Sequence, residues 1–217
     1  MNVAAMRFYL LGERAACMST TGPVDLNCQQ RIWQLAEQLK RLAICRDIVP
    51  GMNNLTVIFD PDKHSADELL AVMEQQWKAV QGQAYSSRTL QIPVRYGSDH
   101  GPDLSVVAAH AGMTPEEVIA AHSAADYVVY FLGFQPGFAY MGGLPDRLAT
   151  PRRADPRLLV PAGSVGIGGA QTGIYPSVGP GGWNLIGRTD LHLFDPLREE
   201  PILLRPGDLI KFVAVGA

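Results

Sequence analysis

Three arginines crowd one proline-bounded stretch, Thr150-Pro-Arg-Arg-Ala-Asp-Pro-Arg157. A guanidinium is a permanent cation whose forked N–H groups can hold both oxygens of a carboxylate or phosphate at once. Pro151 and Pro156 restrain the backbone around them. Arg152, Arg153 and Arg157 therefore read either as an anion-binding cluster or as a solvated loop pairing with Asp146 and Asp155. Gln171, Tyr175 and Asn184 add donors and acceptors beside glycine-rich turns, the chemistry that orients a small polar ligand. Upstream, "FLGFQPGFAYMGGLP" (131–145) interleaves aromatic rings with Gly and Pro. Phe134, Phe138, Tyr140 and Trp183 are either core and interface residues or the lining of a binding surface.

Several standard sites are excluded by spacing. The run Gly163-Ser-Val-Gly-Ile-Gly-Gly-Ala-Gln-Thr-Gly173 lacks the Gly-Lys-Ser/Thr ending of a phosphate loop. In the dinucleotide register, Gln171 stands where the third glycine belongs, and Pro176, Gly179 and Pro180 preclude a following helix. A tight connection between strands is the plainer reading. Ala162 replaces the first glycine of a nucleophile elbow around Ser164. His64, His100, His110, His122 and His192 lack zinc spacing, and His110 and His122 fall near helix ends, where a solvated or capping imidazole is expected. A catalytic His122 is the alternative.

The chain is 47% apolar and 18% charged, enough to bury a sizeable core, and its formal net charge of −3 gives no footprint for nucleic acid or anionic membrane. The early apolar run Phe8–Leu11 is too short for a signal-peptide core, and no segment approaches transmembrane length. Cys17, Cys28 and Cys45 are odd in number and lack Cys-x-x-Cys spacing, so reduced thiols in a cytoplasmic protein are expected.

The elements that must position these residues fall into two groups. Strands are expected around Gly12-Glu13, over 8–11 and 15–20, followed by a helix from Leu26 to Leu42 with apolar residues at helical spacing. Pro50-Gly51-Met52-Asn53-Asn54 reads as a turn between two strands, and Ser65-Ala-Asp-Glu68 as a capping box opening a second helix. One more strand after Gln81-Gly82-Gln83 would complete a split βαβ unit. From about Thr89 short strands dominate, at 90–96, 127–132, 164–167, 183–186, 191–194, 202–204 and 209–215, as in a sandwich or closed barrel. Two short helices interrupt them between Leu104 and His122, the first ended by Gly112 and the second capped by Thr114-Pro-Glu-Glu117. The expected domains are residues 1–88 and 89–217.

The segments "LGFQPGFAYMGGLP", "TPRRADPR", "VPAGSVGIGGAQTGIYPSVGPGGWNLIGRT", "LFDP" and "LRPGDLIKF" occur in an order that resembles the KipI/PxpB family, also called allophanate hydrolase subunit one-like. Looser matches at "GERA" and "VPGMNNLTVIFDP" extend the resemblance over nearly the whole chain. It implies an α+β protein: a ferredoxin-like α/β domain over 1–88, then a cyclophilin-like β-barrel over 89–217. It further implies a subunit of a heteromeric 5-oxoprolinase, opening 5-oxoproline to glutamate with ATP cleavage. PxpC-like and PxpA-like subunits would be its partners, and the single chain would be inactive. ATP is used by the complex, with no cofactor or metal assigned to this chain. Matching motif positions include His122, Phe134, Tyr140, Arg152, Arg153, Gln171, Tyr175, Gly181, Gly182 and Trp183. With Arg157 and Asn184 they give the candidate site, His122 as catalytic group and Tyr140, Arg152, Arg153, Arg157, Gln171, Tyr175, Trp183 and Asn184 as substrate contacts. Ala139 stands where the family often has proline. The resemblance also admits a KipI-like inhibitor of a sensor histidine kinase and a urea-carboxylase-type carboxyltransferase subunit. No biotin-accepting Met-Lys-Met sequence is present.

Overall fold

The computed structural model describes residues 6–23, 25–80 and 85–216. The chain divides into two compact units, Met1–Ser86 and Ser87–Ala217.

The first unit runs β1 (Met6–Leu10), β2 (Ala15–Thr20), α1 (Leu26–Leu42), β3 (Cys45–Gly51), β4 (Asn54–Phe59) and α2 (Ala66–Ala79). Its sheet has the order β1-β2-β4-β3, and every neighbouring pair is antiparallel. In β4 alternate residues Leu55, Val57 and Phe59 are buried, the period of a strand with one covered face. They meet Ile32, Leu35 and Leu39 of α1 and Leu69, Met73 and Trp77 of α2. The Ser65–Glu68 capping box forms as the spacing predicts and satisfies backbone donors at the start of α2. Buried Gln29 pins α1 to the β3–β4 turn, donating to the Gly51 carbonyl (3.0 Å) and accepting from the Asn53 amide (3.0 Å). The expected strand after 81–83 is not the fourth strand of this sheet. Residues 81–84 lie outside those described, and the position is filled by β1 through its hairpin with β2.

The second unit contains β5 (Thr89–Tyr96), α3 (Leu104–Ala111), α4 (Pro115–Ala124), β6 (Tyr127–Leu132), β7 (Ala139–Gly142), β8 (Arg157–Val160), β9 (Ser164–Gly168), β10 (Gln171–Ile174), β11 (Gly179–Gly181), β12 (Asn184–Arg188) and β13 (Leu209–Ala214). Seven strands close into a barrel in the order β10-β7-β6-β13-β5-β12-β9, with β9 and β10 completing the ring. Closure removes exposed strand edges. The interior is filled by Ile92, Val94, Val129, Met141, Ile167 and Ile210 among others, and α3 and α4 add Leu104, Val107 and Val118. As the sequence signals, α3 ends on a left-handed Gly112, and α4 opens with a Thr114–Glu117 capping box and Pro115 in its first turn.

Stretches 191–194 and 202–204 do not form strands. They meet at an isolated bridge between Phe194 and Ile202, because Pro196 and Pro201 remove donors where a ladder would continue. Four short strands escape the sequence pattern: β7, β8, β10 and β11. At three or four residues each they are too brief for alternation to register, and β11, Gly179-Pro180-Gly181, carries no strand-forming side chain either.

No described helix is long and apolar enough to cross a membrane.

Candidate functional site

At one surface of the barrel a second apolar cluster forms from Phe138, Val160, Tyr175, Trp183 and Leu185, with Tyr140 against it. Phe138 is the hub, its ring edge-to-face with Trp183 (5.5 Å), Tyr175 (5.4 Å) and Tyr140 (4.9 Å between centroids). Such offset contacts suit the aromatic quadrupole. Glycines make room for the rings. A Cβ on Gly168 would stand 2.5 Å from the Trp183 indole, and one on Gly173 would stand 3.2 Å from the same ring. The glycine-rich run thus lets the indole lie directly on strands β9 and β10. It forms their hairpin, as the plainer reading expects, and carries no phosphate loop.

Above this floor opens a groove of about 230 Å³, walled by Phe134, Arg152, Pro156, Pro180, Gly181 and Gly182. Phe134 sits in the β6–β7 connection with φ of 65° and is 58% exposed. A bulky residue in the left-handed region costs on the order of 1–3 kcal/mol, so the surrounding loop must hold it there. Arg152 places its guanidinium carbon 5.8 Å from the Trp183 ring centroid, and its charge favours the ionised form of the Tyr175 phenol, although burial dominates and raises that pKa.

The structure separates the three arginines. Arg157 holds Asp103 through two hydrogen bonds (2.7 and 2.8 Å), and Arg153 adds a third (3.0 Å). The same carboxylate, only 3% exposed, accepts from the Leu185 amide at 2.8 Å. Arg153 and Arg157 therefore clamp their loop to the barrel; neither pairs with Asp146 or Asp155 through its side chain carboxylate, and neither lines the groove. Asn184 also acts on this loop. Its amide donates to the Pro151 carbonyl (2.8 Å), while the Arg153 amide donates to Gly182 (2.8 Å). Arg152 is left between two anchored neighbours, with no ion pair among the described residues. Gln171 opens β10 opposite Gly168 and does not line the groove.

His122 is neither solvated nor capping; it is fully buried in the barrel interior. Thr172 Oγ1 donates to the Gly166 carbonyl (3.0 Å) and so accepts from His122 Nε2–H (3.0 Å), which leaves Nδ1 to accept from the Tyr96 hydroxyl (2.8 Å). Phe212 and Tyr127 pack against the ring at 4.6 and 5.2 Å. Burial lowers its pKa to about 3, so it is neutral at pH 7. With both nitrogens engaged and no part in the groove, His122 is a core hydrogen-bonding residue and not an accessible base.

Of the sequence candidates, then, the groove gathers Tyr140, Arg152, Tyr175 and Trp183, and leaves out His122, Arg153, Arg157, Gln171 and Asn184. Sequence reasoning missed Asp103, which stands at the N-cap of α3 without capping it. Its position before a helix was a signal for a cap, and nothing local marked its arginine partners. Among the described residues no three His, Cys, Asp or Glu side chains assemble as a metal site.

An α+β chain with a closed barrel, and an aromatic groove at its surface, now has a class: residues 6–204 match the family described as carboxyltransferase domain, subdomain C and D, and the chain belongs to it. It is 54% identical over 207 residues to the B subunit of 5-oxoprolinase from Escherichia coli O157:H7, covering 95% of both chains. It is 46% identical to the corresponding 5-oxoprolinase chain of Haemophilus influenzae, covering 97% of this chain and 99% of that one. Among solved structures it resembles TTHA0988, with a TM-score of 0.83 and 37% identity over 94% of this chain and 40% of that longer one.

Proposed function

We propose that this chain is the B subunit of an ATP-dependent 5-oxoprolinase. The observation that carries the reading is 54% identity, over 95% of each chain, to a protein of that name. The enzyme's task is hydrolysis of an unactivated lactam. Transfer of the γ-phosphoryl group of ATP to the lactam oxygen, releasing ADP, would activate the ring carbon. Water then adds to that carbon and the ring C–N bond breaks, leaving the amine and a γ-glutamyl phosphate, and a second water displaces phosphate from this acyl phosphate to give glutamate. That step belongs to the assembled enzyme, with PxpC-like and PxpA-like chains as partners. ATP is a substrate of the complex, and the single chain is inactive.

The fold supports finer assignments. The crossing of β2-α1-β3 over β4 supports a ferredoxin-like domain within residues 1–88, its usual last strand replaced by β1. The closed seven-stranded ring supports a cyclophilin-like domain within 89–217.

The test is purification of this chain alone and with PxpC-like and PxpA-like chains, followed by an assay of 5-oxoproline-dependent ATP cleavage. Activity only in the complex is expected. A complete complex that does not open 5-oxoproline overturns the assignment.

A further inference from the structure

We propose that the aromatic groove is where the complex holds the lactam acid, with Arg152 paired to its carboxylate and the five-membered ring resting between Phe134 at the mouth and the aromatic floor of Tyr140, Tyr175 and Trp183. The proposal rests on the 5-oxoprolinase reading and locates its substrate.

Charge selects the class of ligand. Among the described residues Arg152 is the sole charged side chain lining the groove, and it has no ion-pair partner there. One fixed cation matches a monoanion. A nucleoside triphosphate would bring several negative charges to a wall that is otherwise rings, prolines and glycines. Size agrees, since about 230 Å³ lies below the usual span for drug-sized ligands and suits a small cyclic acid.

Pre-organisation is the second argument. Pro151 is fixed through its carbonyl by Asn184, and Arg153 through its amide by Gly182 and its side chain by Asp103. The residue between them is held from both sides, so little backbone freedom is lost when it engages an anion. The guanidinium also presents a planar fork, the geometry a carboxylate matches.

A third observation concerns Phe134. Its backbone is held in the left-handed region while its ring, edge-to-face with Phe138 at 5.4 Å, stays 58% exposed at the groove mouth. A strained aromatic turned outward at a cleft is placed for contact with a ligand.

The experiment uses the complex with its partner subunits. Arg152→Ala should raise KM for 5-oxoproline about ten- to hundredfold, as loss of a charge-assisted hydrogen bond implies, and leave KM for ATP unchanged. Arg152→Lys should recover part of the loss. Cyclopentanecarboxylate should compete with 5-oxoproline, whereas pyrrolidinone, which keeps the lactam and lacks the carboxylate, should compete at least about tenfold more weakly. On the chain itself, cyclopentanecarboxylate should change tryptophan fluorescence, and both Trp183→Phe and Arg152→Ala should abolish the change. Three results would each overturn the groove assignment: an unaltered KM for 5-oxoproline in Arg152→Ala, equal competition by the two analogues, or failure of Arg152→Ala to assemble with its partners. A wild-type complex without 5-oxoproline turnover overturns the 5-oxoprolinase assignment instead, so the two failures are distinguishable.

Discussion

Acidification should destabilise the barrel through His122. In the folded protein its neutral ring donates through Nε2 to Thr172 and accepts at Nδ1 from Tyr96. The groups packed around it are the phenols of Tyr96 and Tyr127 and the ring of Phe212, and no carboxylate among them compensates a proton. Burial holds the folded pKa at about 3, against 6.5 for an unhindered imidazole. Between these values the unfolded chain binds a proton that the folded chain refuses, so stability falls as pH falls. The contribution is fully present above the unfolded pKa and is lost toward the folded one. The slope reaches roughly 1.4 kcal/mol per pH unit only below the unfolded pKa, so lowering pH from about 6.5 to about 4.5 removes about 2 kcal/mol. That is a large share of the typical 5–15 kcal/mol stability of a domain. Urea unfolding across this range, with His122→Gln beside the wild type, isolates the contribution: the variant starts less stable and should lose the extra slope. Thr172→Val, which retains the imidazole, should keep it. Equal pH slopes in wild type and His122→Gln would refute the reasoning.

Asp103→Asn should weaken the clamp on the arginine loop. Replacing a charged acceptor of several hydrogen bonds lowers stability by about 1.5–3 kcal/mol, measurable by urea unfolding at neutral pH. Because Arg153 anchors the chain beside Arg152, the variant should also raise KM for 5-oxoproline in the complex; unchanged stability would count against the clamp. Gly168→Ala should push the Trp183 indole off its strand, costing about 1–3 kcal/mol by overpacking and altering tryptophan fluorescence. An unperturbed spectrum and stability would show that the glycine is not needed for the ring. Ser65→Ala removes half of a capping box, and urea unfolding should report a loss of about 1 kcal/mol in the first unit.

Local physics was legible in the chain itself. The stripe Ile32, Leu35, Ala36, Leu39 defines α1, the capping boxes at Ser65 and Thr114 begin α2 and α4, and left-handed Gly112 ends α3, because each depends on residues within one or two helical turns. The change from helix-rich to strand-rich pattern near Thr89 is local in the same sense. Motif order was also enough to point to the family and to mark Tyr140, Arg152, Tyr175 and Trp183. Tertiary structure alone decided which of the marked residues face one another. Arg153 and Arg157 looked equivalent to Arg152 until Asp103, at the start of α3, engaged both and left Arg152 at the groove. His122 looked like a helix-end imidazole until barrel closure brought Tyr96 and Thr172 to its two nitrogens. β1 likewise completed a sheet for which the sequence suggested a later strand. These outcomes share one cause. A hydrogen bond or ion pair between distant segments is set by how the chain closes on itself, and side-chain type and local spacing carry no record of that closure.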